Sequence, residues 1–383
     1  MAAADRPLHR RWLRLAVLAA ALGAAPGLFA LLNIDGTRNQ VFVFGNLTLA
    51  YDSNVFSDTS GRDDYTITSR IGAELKRRRG IIAVNASANL DYVQFNEHTD
   101  ETSWNPSFSL ELNKTSGRTT GAFTLNAYRT NRSDSAVNIR TTSWNVPVGL
   151  NIKYPVNEKL YLTSNTGYLR RSYSDNRALV NYTDYSQGLD VFYVYNSRLD
   201  LVGGYRLRAS RTSLRDTYDH SLSFGATGGL LPKLNGTLRL GYQFRDLSGG
   251  PGGSEQFSQF TLSSALKWIP TRRITLSLDG HRDFTTTAVG GTVDTLGASL
   301  HAGYTFSRKL EFSGGVAWGR NRFLGRGAPP RQDDFFSWDA GVRYTFNEHL
   351  TVSGNYNHLV NWSTLSFSDF ERTGYSLDLS SRF

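Results

Sequence analysis

The sequence predicts an all-β fold, a transmembrane antiparallel β-barrel of about 18 strands with short turns at one rim and longer loops at the other. Three observations predict it. A unit of strand, long loop, strand and tight turn recurs about every 38 residues along the chain. The segments between the breaks alternate polar and apolar residues, and aromatic residues lie near both ends of these segments.

The N-terminal residues have the layout of a secretory signal peptide. Residues 6–14 are basic, and residues 15–25 form a small apolar run that is short for a membrane span. We therefore expect residues 1–30 to be a signal peptide, cleaved after about residues 25–30, and residues 31–383 to be the barrel. An uncleaved N-terminal anchor is the alternative, and in either case the rest of the chain is exported.

Short polar turns and longer polar breaks divide the remaining chain into segments. Successive turns start between 36 and 41 residues apart, with one longer break between each pair. The turns are predicted at 77–80, 115–118, 155–158, 196–199, 232–235, 270–273, 307–310 and 347–350. The longer breaks are predicted at 96–101, 129–140, 174–181, 212–216, 246–255, 285–291 and 324–334.

The segments between these breaks alternate with the period of a β-strand. Residues 144–152, 296–306 and 336–346 each place apolar side chains at every second position. Runs of about 10 to 14 residues suit tilted strands that cross a bilayer. The eight turns join sixteen strands, and a first strand near 41–52 and a last near 371–383 make 18. Both termini are then expected on the periplasmic, tight-turn side.

Aromatic residues on the predicted outward face form two bands. Such bands are typical of the two interfaces between a membrane and water. A soluble β-sandwich or propeller is the alternative, but it does not need strands this long or this uniform. The sequence therefore indicates an integral protein of the bacterial outer membrane. The loop-end band comprises Trp104, Trp144, Trp318 and Trp338, and the turn-end band comprises Tyr154, Tyr195, Trp268, Phe306 and Phe346.

Composition excludes several kinds of chemistry. The chain has no cysteine, which excludes disulfides, thiolate metal sites, cysteine nucleophiles and a lipoprotein anchor. The net charge is +9, but the basic residues are scattered or lie in turns, so no nucleic-acid partner is expected. No two histidines have metal-ligand spacing, and His358, the one candidate base, is interpreted as an interfacial polar residue. We predict no enzyme, catalytic residue, metal or cofactor.

The inward-facing positions predict a polar lumen with nearly balanced charge. Eighteen strands enclose a space too wide for side chains to fill, and the longest predicted loops have about 12 residues, so any constriction by an infolded loop is expected to be small. Four inward arginines lie on neighbouring strands: Arg206, Arg208, Arg239 and Arg245. They either form a basic patch or pair with Asp190 and Asp200 across the wall, and we favour pairing. Inward Tyr128 and Tyr161 either offer flat surfaces to sugar rings or pack beneath a loop. The channel-lining candidates are Arg70, Lys153, Asp190, Asp200, Arg206, Arg208, Arg239, Arg245, Asp279, Asp339 and Arg343.

The C-terminal strand carries a candidate membrane-insertion signal. Tyr375, Leu377, Leu379 and the terminal Phe383 share the outward parity. A terminal Phe preceded by alternating apolar positions resembles the signal by which outer-membrane barrels are recognised. We therefore expect the barrel-assembly machinery of the outer membrane as a partner, together with outer-membrane lipid and lipopolysaccharide.

The end of the first strand carries a short motif, L-T-L-A-Y-D-S-N-V-F at 47–56. Its residues Tyr51, Asp52, Asn54, Val55 and Phe56 resemble the Putative beta-barrel porin 2 family, whose motif defines a loop and not a binding site. The resemblance implies an 18-stranded conduit that exports an exopolysaccharide and works with an inner-membrane polysaccharide synthesis and export complex.

Two alternatives to polysaccharide export remain open. The first is a passive general-diffusion porin for small solutes, and the second is a structural barrel without transport. The amino-acid sequence does not choose among the three, because a wide polar lumen suits a hydrated polymer and a small solute equally well.

Overall fold

A computed structural model describes residues 32–34, 39–78, 80–174, 179–249, 253–325 and 330–383. The predicted signal peptide, residues 1–30, lies outside these ranges and stays a prediction. Within them, no helix is long and apolar enough to cross a membrane.

Long antiparallel strands close into a barrel, as the sequence predicts. Each of the eighteen strands β2 to β19 pairs with the next in the chain, and β19 pairs back with β2. A short strand, β1 (Leu32–Ile34), also pairs with β2. The first barrel strands are β2 Asn39–Asp52, β3 Asp64–Arg77, β4 Ala83–Phe95, β5 Ser103–Lys114, β6 Thr120–Asp134 and β7 Ile139–Pro155. The next are β8 Leu160–Ser174, β9 Tyr182–Val194, β10 Leu199–Thr212, β11 Asp216–Leu231, β12 Leu234–Ser248 and β13 Glu255–Thr271. The last are β14 Ile274–Thr286, β15 Thr292–Thr305, β16 Leu310–Leu324, β17 Arg331–Thr345, β18 Leu350–Ser363 and β19 Phe370–Arg382.

The pairing of β19 with β2 closes the barrel, and this ladder extends to the rim of the tight turns. Tyr375 lies opposite Tyr51 and Arg382 opposite Phe44. The backbones of Phe383 and Val43 exchange two hydrogen bonds of 2.9 Å. Both ends of the barrel therefore meet at the rim of the tight turns, as predicted.

The tight turns lie where the sequence predicts them, but one of the longer loops does not. β6 continues to Asp134 and β7 begins at Ile139, so only residues 135–138 connect them. The predicted loop at 129–140 is therefore wrong, because its polar residues belong mostly to two strands. A strand that rises above the bilayer has no lipid-facing side to keep apolar, so it loses the alternation that marks a strand in the sequence.

Side-chain exposure agrees with the predicted outward parity. All nine aromatic residues of the two predicted bands are exposed, and the leucines between the bands on β9, β11 and β12 are exposed as well. An exposed apolar band flanked by aromatic rings is the surface that a bilayer requires.

At the rim of the longer loops, two hairpins separate from the preceding strand, while their second strands stay paired with the next strand of the wall. The β5–β6 ladder stops at Ser107 and Tyr128, although both strands continue further. The β13–β14 ladder likewise stops at Leu262 and Arg282. Beyond these points β6 still pairs with β7, and β14 with β15. We call residues 129–144 mouth hairpin 1 and residues 283–295 mouth hairpin 2.

Candidate functional site at the outer mouth

Mouth hairpin 1 reaches the opposite side of the barrel. The guanidinium of Arg331, at the start of β17, donates to the carbonyl oxygens of Ala136 at 2.7 Å and Ser135 at 2.9 Å. By the shorter way round, β6 and β17 are seven strand steps apart, about 34 Å along the wall at 4.8 Å per step. A direct contact between them can form only across the lumen.

The first outer loop, residues 53–63, holds mouth hairpin 1 from below. The carbonyl oxygen of Val55 accepts from Arg140 at 2.9 Å, and that of Ser57 accepts from Asn138 at 2.9 Å. Asn54 and Val55 are each only 1% exposed. These loop residues therefore pack against the hairpin and do not extend into solvent.

The motif residues at 51–56 fix this loop to the last strand. The Asp52 carboxylate accepts bidentate hydrogen bonds from the Arg372 guanidinium, the shortest of them 2.5 Å. Asn54 donates to the carbonyl oxygens of Asp58 at 2.7 Å and Glu371 at 3.2 Å. The motif thus has a structural function here, because it joins the first loop to β19 beneath mouth hairpin 1.

Mouth hairpin 2 is held inside the barrel by arginines from other strands. Asp283 accepts from Arg206 of β10 at 2.8 Å, although β10 and β14 are four strand steps apart. Arg208 donates to the carbonyl oxygen of Phe284 at 2.5 Å, and Arg245 donates to that of Thr285 at 3.1 Å. These side chains bind backbone carbonyls of the part of β14 that has left β13.

A buried ion cluster supports these arginines. Arg245 and Asp219 form a two-pronged pair at 2.6 and 2.7 Å, with side-chain exposures of 0% and 2%. Arg208 also pairs with Asp219, at 2.5 Å. One carboxylate therefore compensates two guanidinium groups, and the remaining donors of those groups bind mouth hairpin 2. Ion pairing and hydrogen bonding of this kind offset the free-energy cost of burying charged groups.

A single side chain spans the gap between β13 and β14. With its amide nitrogen facing Asp294, Gln259 donates to that carboxylate at 2.6 Å and accepts from the backbone nitrogen of Phe284 at 3.1 Å. Gln259 therefore replaces part of the hydrogen bonding that the interrupted ladder leaves out.

The predicted pairing of the four inward arginines is right for one of them. Arg239 binds Asp190 at 2.9 Å. Asp200 instead accepts from the hydroxyl of Tyr161 at 2.7 Å. Arg206 binds Asp283, and Arg208 and Arg245 bind Asp219. The prediction that these three bind Asp190 or Asp200 is therefore wrong. The register places Asp219 directly opposite both Arg208 and Arg245, its neighbours on the two flanking strands.

Tyr161 has no free face for a sugar ring. Its ring stacks on Phe192 with centroids 4.6 Å apart, and the Lys153 ammonium lies 3.7 Å from its centroid. Tyr128 lies opposite Asn145 in the β6–β7 ladder, directly before mouth hairpin 1. The predicted stacking surface at Tyr161 is therefore occupied by the protein itself.

The remaining candidates are spread along the wall. Arg70 binds Asp91 at 2.6 Å, Arg343 lies 3.8 Å from Glu311, and Asp339 lies 4.0 Å from His301. Asp279 lies opposite Ala265 and Ser299 in the ladders. The structure does not gather them into one site, and their channel-lining role stays a prediction.

Recesses of different size lie at the two ends of the lumen. A recess of about 710 Å³ opens near the barrel seam, with Thr68, Arg70 and Asp378 in its lining. Between the two mouth hairpins lies a cavity of only about 190 Å³. The inward contacts at the mouth come mainly from strand ends, and the expectation that infolded loops narrow the lumen little stays a prediction.

The C-terminal residue and His358 each contact neighbouring segments of the chain. The Phe383 ring stacks on His349 at 5.1 Å, and Tyr375 and Leu377 are each 53% exposed. The insertion signal stays a prediction. His358 contacts Thr373 at 3.0 Å. In the described ranges, no three His, Cys, Asp or Glu residues are grouped so as to hold a metal ion.

Sequence reasoning missed the residues that hold the mouth hairpins. Their contacts join positions far apart in the chain, so spacing carries no signal for them. The segment at 129–140 also lacks the alternation of polar and apolar residues that marks a strand, so no local pattern pointed to its residues. The missed residues are Arg140, Asp219, Gln259, Arg331 and Arg372.

Comparison with known proteins agrees with this architecture. Residues 205–383 match the family model described as Putative beta-barrel porin 2. The match covers β11 to β19, whereas the motif at 51–56 lies outside it. No curated protein matches the sequence.

Solved structures share the fold at low identity. OccK2 (OpdF) of Pseudomonas aeruginosa, in complex with glucuronate, has a TM-score of 0.50 and 10% identity, covering 90% of this chain and 98% of that chain. OpdK of the same organism, with vanillate, has 0.49 and 12%, covering 90% and 99%. The FrpB iron transporter of Neisseria meningitidis has 0.49 and 12%, covering 86% and 63%.

The family model, the closed barrel and its exposed apolar band lead to one conclusion. The chain is an integral outer-membrane β-barrel.

Proposed function

We propose that the protein is a channel for small polar solutes, with its narrowest part between the two mouth hairpins. The observation that carries the proposal is the contact of mouth hairpin 1 with Arg331 across the lumen. A solute that enters from outside must pass the hairpins before it reaches the wider recess near Thr68 and Arg70.

The same observation argues against export of a polysaccharide. A hydrated polymer needs a wide and continuous lumen, and the sequence-based expectation of export depended on that premise. Here strand ends from opposite walls meet in the mouth. Passage of a polymer would require both hairpins to leave their anchors, whereas a small solute needs only the space between them.

The charges on the wall favour neutral solutes and give weak ion preference. Arg239 with Asp190, Arg206 with Asp283 and Arg70 with Asp91 are each paired at 2.6 to 2.9 Å. Fields of opposite charges cancel beyond about one Debye length, about 8 to 10 Å in physiological salt. The lumen then lacks the one-signed field that steers ions of one charge.

Liposome swelling with solutes of graded size tests the proposal. Purified barrel should admit monosaccharides and exclude oligosaccharides, with a reversal potential near zero in a salt gradient. Deletion in the native host provides the second arm: slowed uptake of small sugars with normal surface polysaccharide is the expected result. Loss of surface polysaccharide with intact solute uptake would contradict the proposal and favour export.

A further inference from the structure

We infer that the cavity between the mouth hairpins is a binding site for a small neutral hydroxylated solute of roughly monosaccharide size. This inference rests on the proposed function, since the cavity lies where a solute enters. Its volume of about 190 Å³ corresponds to about six water molecules at roughly 30 Å³ each. That volume is well below the roughly 300 Å³ at which pockets for drug-sized ligands begin.

The cavity is built by elements from opposite sides of the barrel. Mouth hairpin 1 contributes Ser135 and Ala136, and mouth hairpin 2 contributes residues 285–288. Arg171 and Tyr173 of β8 and Asn321 and Phe323 of β16 complete much of the lining. A site assembled in this way exists only while both hairpins are in place, so binding and closure of the mouth are linked.

Hydroxyl and amide groups in the lining are available to a ligand. The side chains of Thr286 and Asn321 make no hydrogen bond to the part of the chain that the structure describes, and neither has any other polar partner there. Together they offer an amide donor, an amide acceptor and a hydroxyl that can do either. Each hydroxyl of a sugar can likewise donate and accept, so these groups are complementary.

The charges around the cavity balance, which selects against an ionic ligand. Asp333 binds Arg331 at 2.6 Å and accepts from the Ser363 hydroxyl at 2.6 Å. Asp134 accepts from the backbone nitrogen of Ala136 at 2.9 Å, and Arg171 donates to Asn145 at 2.6 Å. The charged lining residues are Asp134, Asp333 and Arg171, and Arg331, which lies outside the lining, neutralises Asp333, so these four charges sum to zero.

Apolar surface completes the resemblance to a carbohydrate site. Phe323 contributes apolar surface to the lining and lies opposite Val293 in the ladder, whereas Val293 and Ala288 are only 4% and 3% exposed and contribute little. Sugar rings present C–H groups as well as hydroxyls, and such a mixture of apolar walls with a few polar groups is the usual composition of small-ligand pockets.

Titration calorimetry of the folded barrel in detergent micelles, with D-glucose as the probe, tests the site without requiring transport. Saturable binding should weaken about tenfold in Thr286→Val and in Asn321→Leu, through loss of one hydrogen bond each. The matched control is Thr68→Val, which alters a lumen threonine in the distant recess and should leave glucose affinity unchanged. Gluconate, of similar size but charged, should bind at least tenfold more weakly than glucose.

The outcomes separate this inference from the proposed function. Absence of saturable glucose binding, equal affinity in all three variants, or gluconate affinity equal to that of glucose overturns the inference. Heat-modified mobility on gels verifies that each variant is folded, and Phe323→Leu provides a second lining variant if one fails. Glucose binding without ion conductance in planar bilayers would refute the channel and leave the binding site intact.

Discussion

Arg331 and Ala136 join opposite sides of the barrel through a hydrogen bond of 2.7 Å. The two residues lie seven strand steps apart, and a neighbouring bond to Ser135 doubles the contact. The outer mouth is therefore a meeting point of two strand ends and not an open ring. The predictions below follow from that arrangement.

Replacing Arg331 should open the mouth. Arg331→Gln removes charged donors from two backbone carbonyls and from Asp333, and hydrogen bonds to charged groups contribute about 1.5 to 3 kcal/mol each. The docked state of mouth hairpin 1 should then be less populated, and single-channel conductance should rise. Arg343→Gln is the control, because Arg343 is 62% exposed and forms only a 3.8 Å pair. Equal conductance in the two variants would count against the closure.

The buried ion cluster should dominate the stability of the upper barrel. Asp219→Asn leaves Arg208 and Arg245 without their shared carboxylate, and breaking a buried pair costs about 3 to 5 kcal/mol. Glu311→Gln breaks an exposed pair of the same kind and should cost less than about 1 kcal/mol. Urea unfolding in lipid vesicles, followed by tryptophan fluorescence, measures both, and similar losses would refute the role assigned to the cluster.

The strand count and the tight turns could be predicted because the bilayer imposes them. Lipid on one face and water on the other force alternation, so segments such as 336–346 are visible in the sequence. Above the bilayer that constraint ends. The strand ends at 129–134 and 285–286 therefore look like loops, although each pairs with a neighbouring strand.

The site was less predictable than the fold, for a different physical reason. The alternation along the strands predicted that four arginines face the lumen, but it does not predict the ion-pair partner of each. These are Arg206, Arg208, Arg239 and Arg245. Arg206 binds Asp283 four strands away only because mouth hairpin 2 bends inward. Such a bend depends on contacts between distant segments, and no local pattern encodes it.

Acid should release the first outer loop. Burial by itself raises the pKa of Asp58, but hydrogen bonds from Ser60 and Arg62 outweigh it and hold the pKa below its usual value. A pKa lowered by folding contributes stability above the unfolded value of about 3.9, and this stability is lost as the pH falls through the folded value. A spin label at Thr59→Cys should therefore gain mobility below about pH 4.

Asp58→Asn provides the comparison for that titration. The label should already be mobile at neutral pH in this variant and should respond little to acid. Asp63→Asn, which alters a carboxylate that accepts only a 3.2 Å bond from Tyr51, should keep the acid response. An identical titration in both variants would exclude Asp58 as the group responsible.

Deletion of Phe383 should lower assembly of the barrel in the outer membrane more than it lowers export of the chain across the inner membrane. Phe383 pairs with Val43 through its backbone and stacks on His349 through its ring. Deleting it removes the last ladder bonds of the seam and the proposed recognition residue, so heat-modifiable barrel in the outer membrane should decrease. Phe383→Tyr keeps both features and should restore the yield. Normal yield after deletion would refute the signal.

The distance between the two walls at the mouth tests the central claim most directly. The chain has no cysteine, so labels at Ser135→Cys and Pro330→Cys report one distance by double electron–electron resonance. Mouth hairpin 1 docked on β17 predicts a main population below about 25 Å, allowing for label linkers. A main population near 35 Å, about the diameter expected for an 18-stranded barrel with strands 4.8 Å apart, would contradict the closure of the mouth.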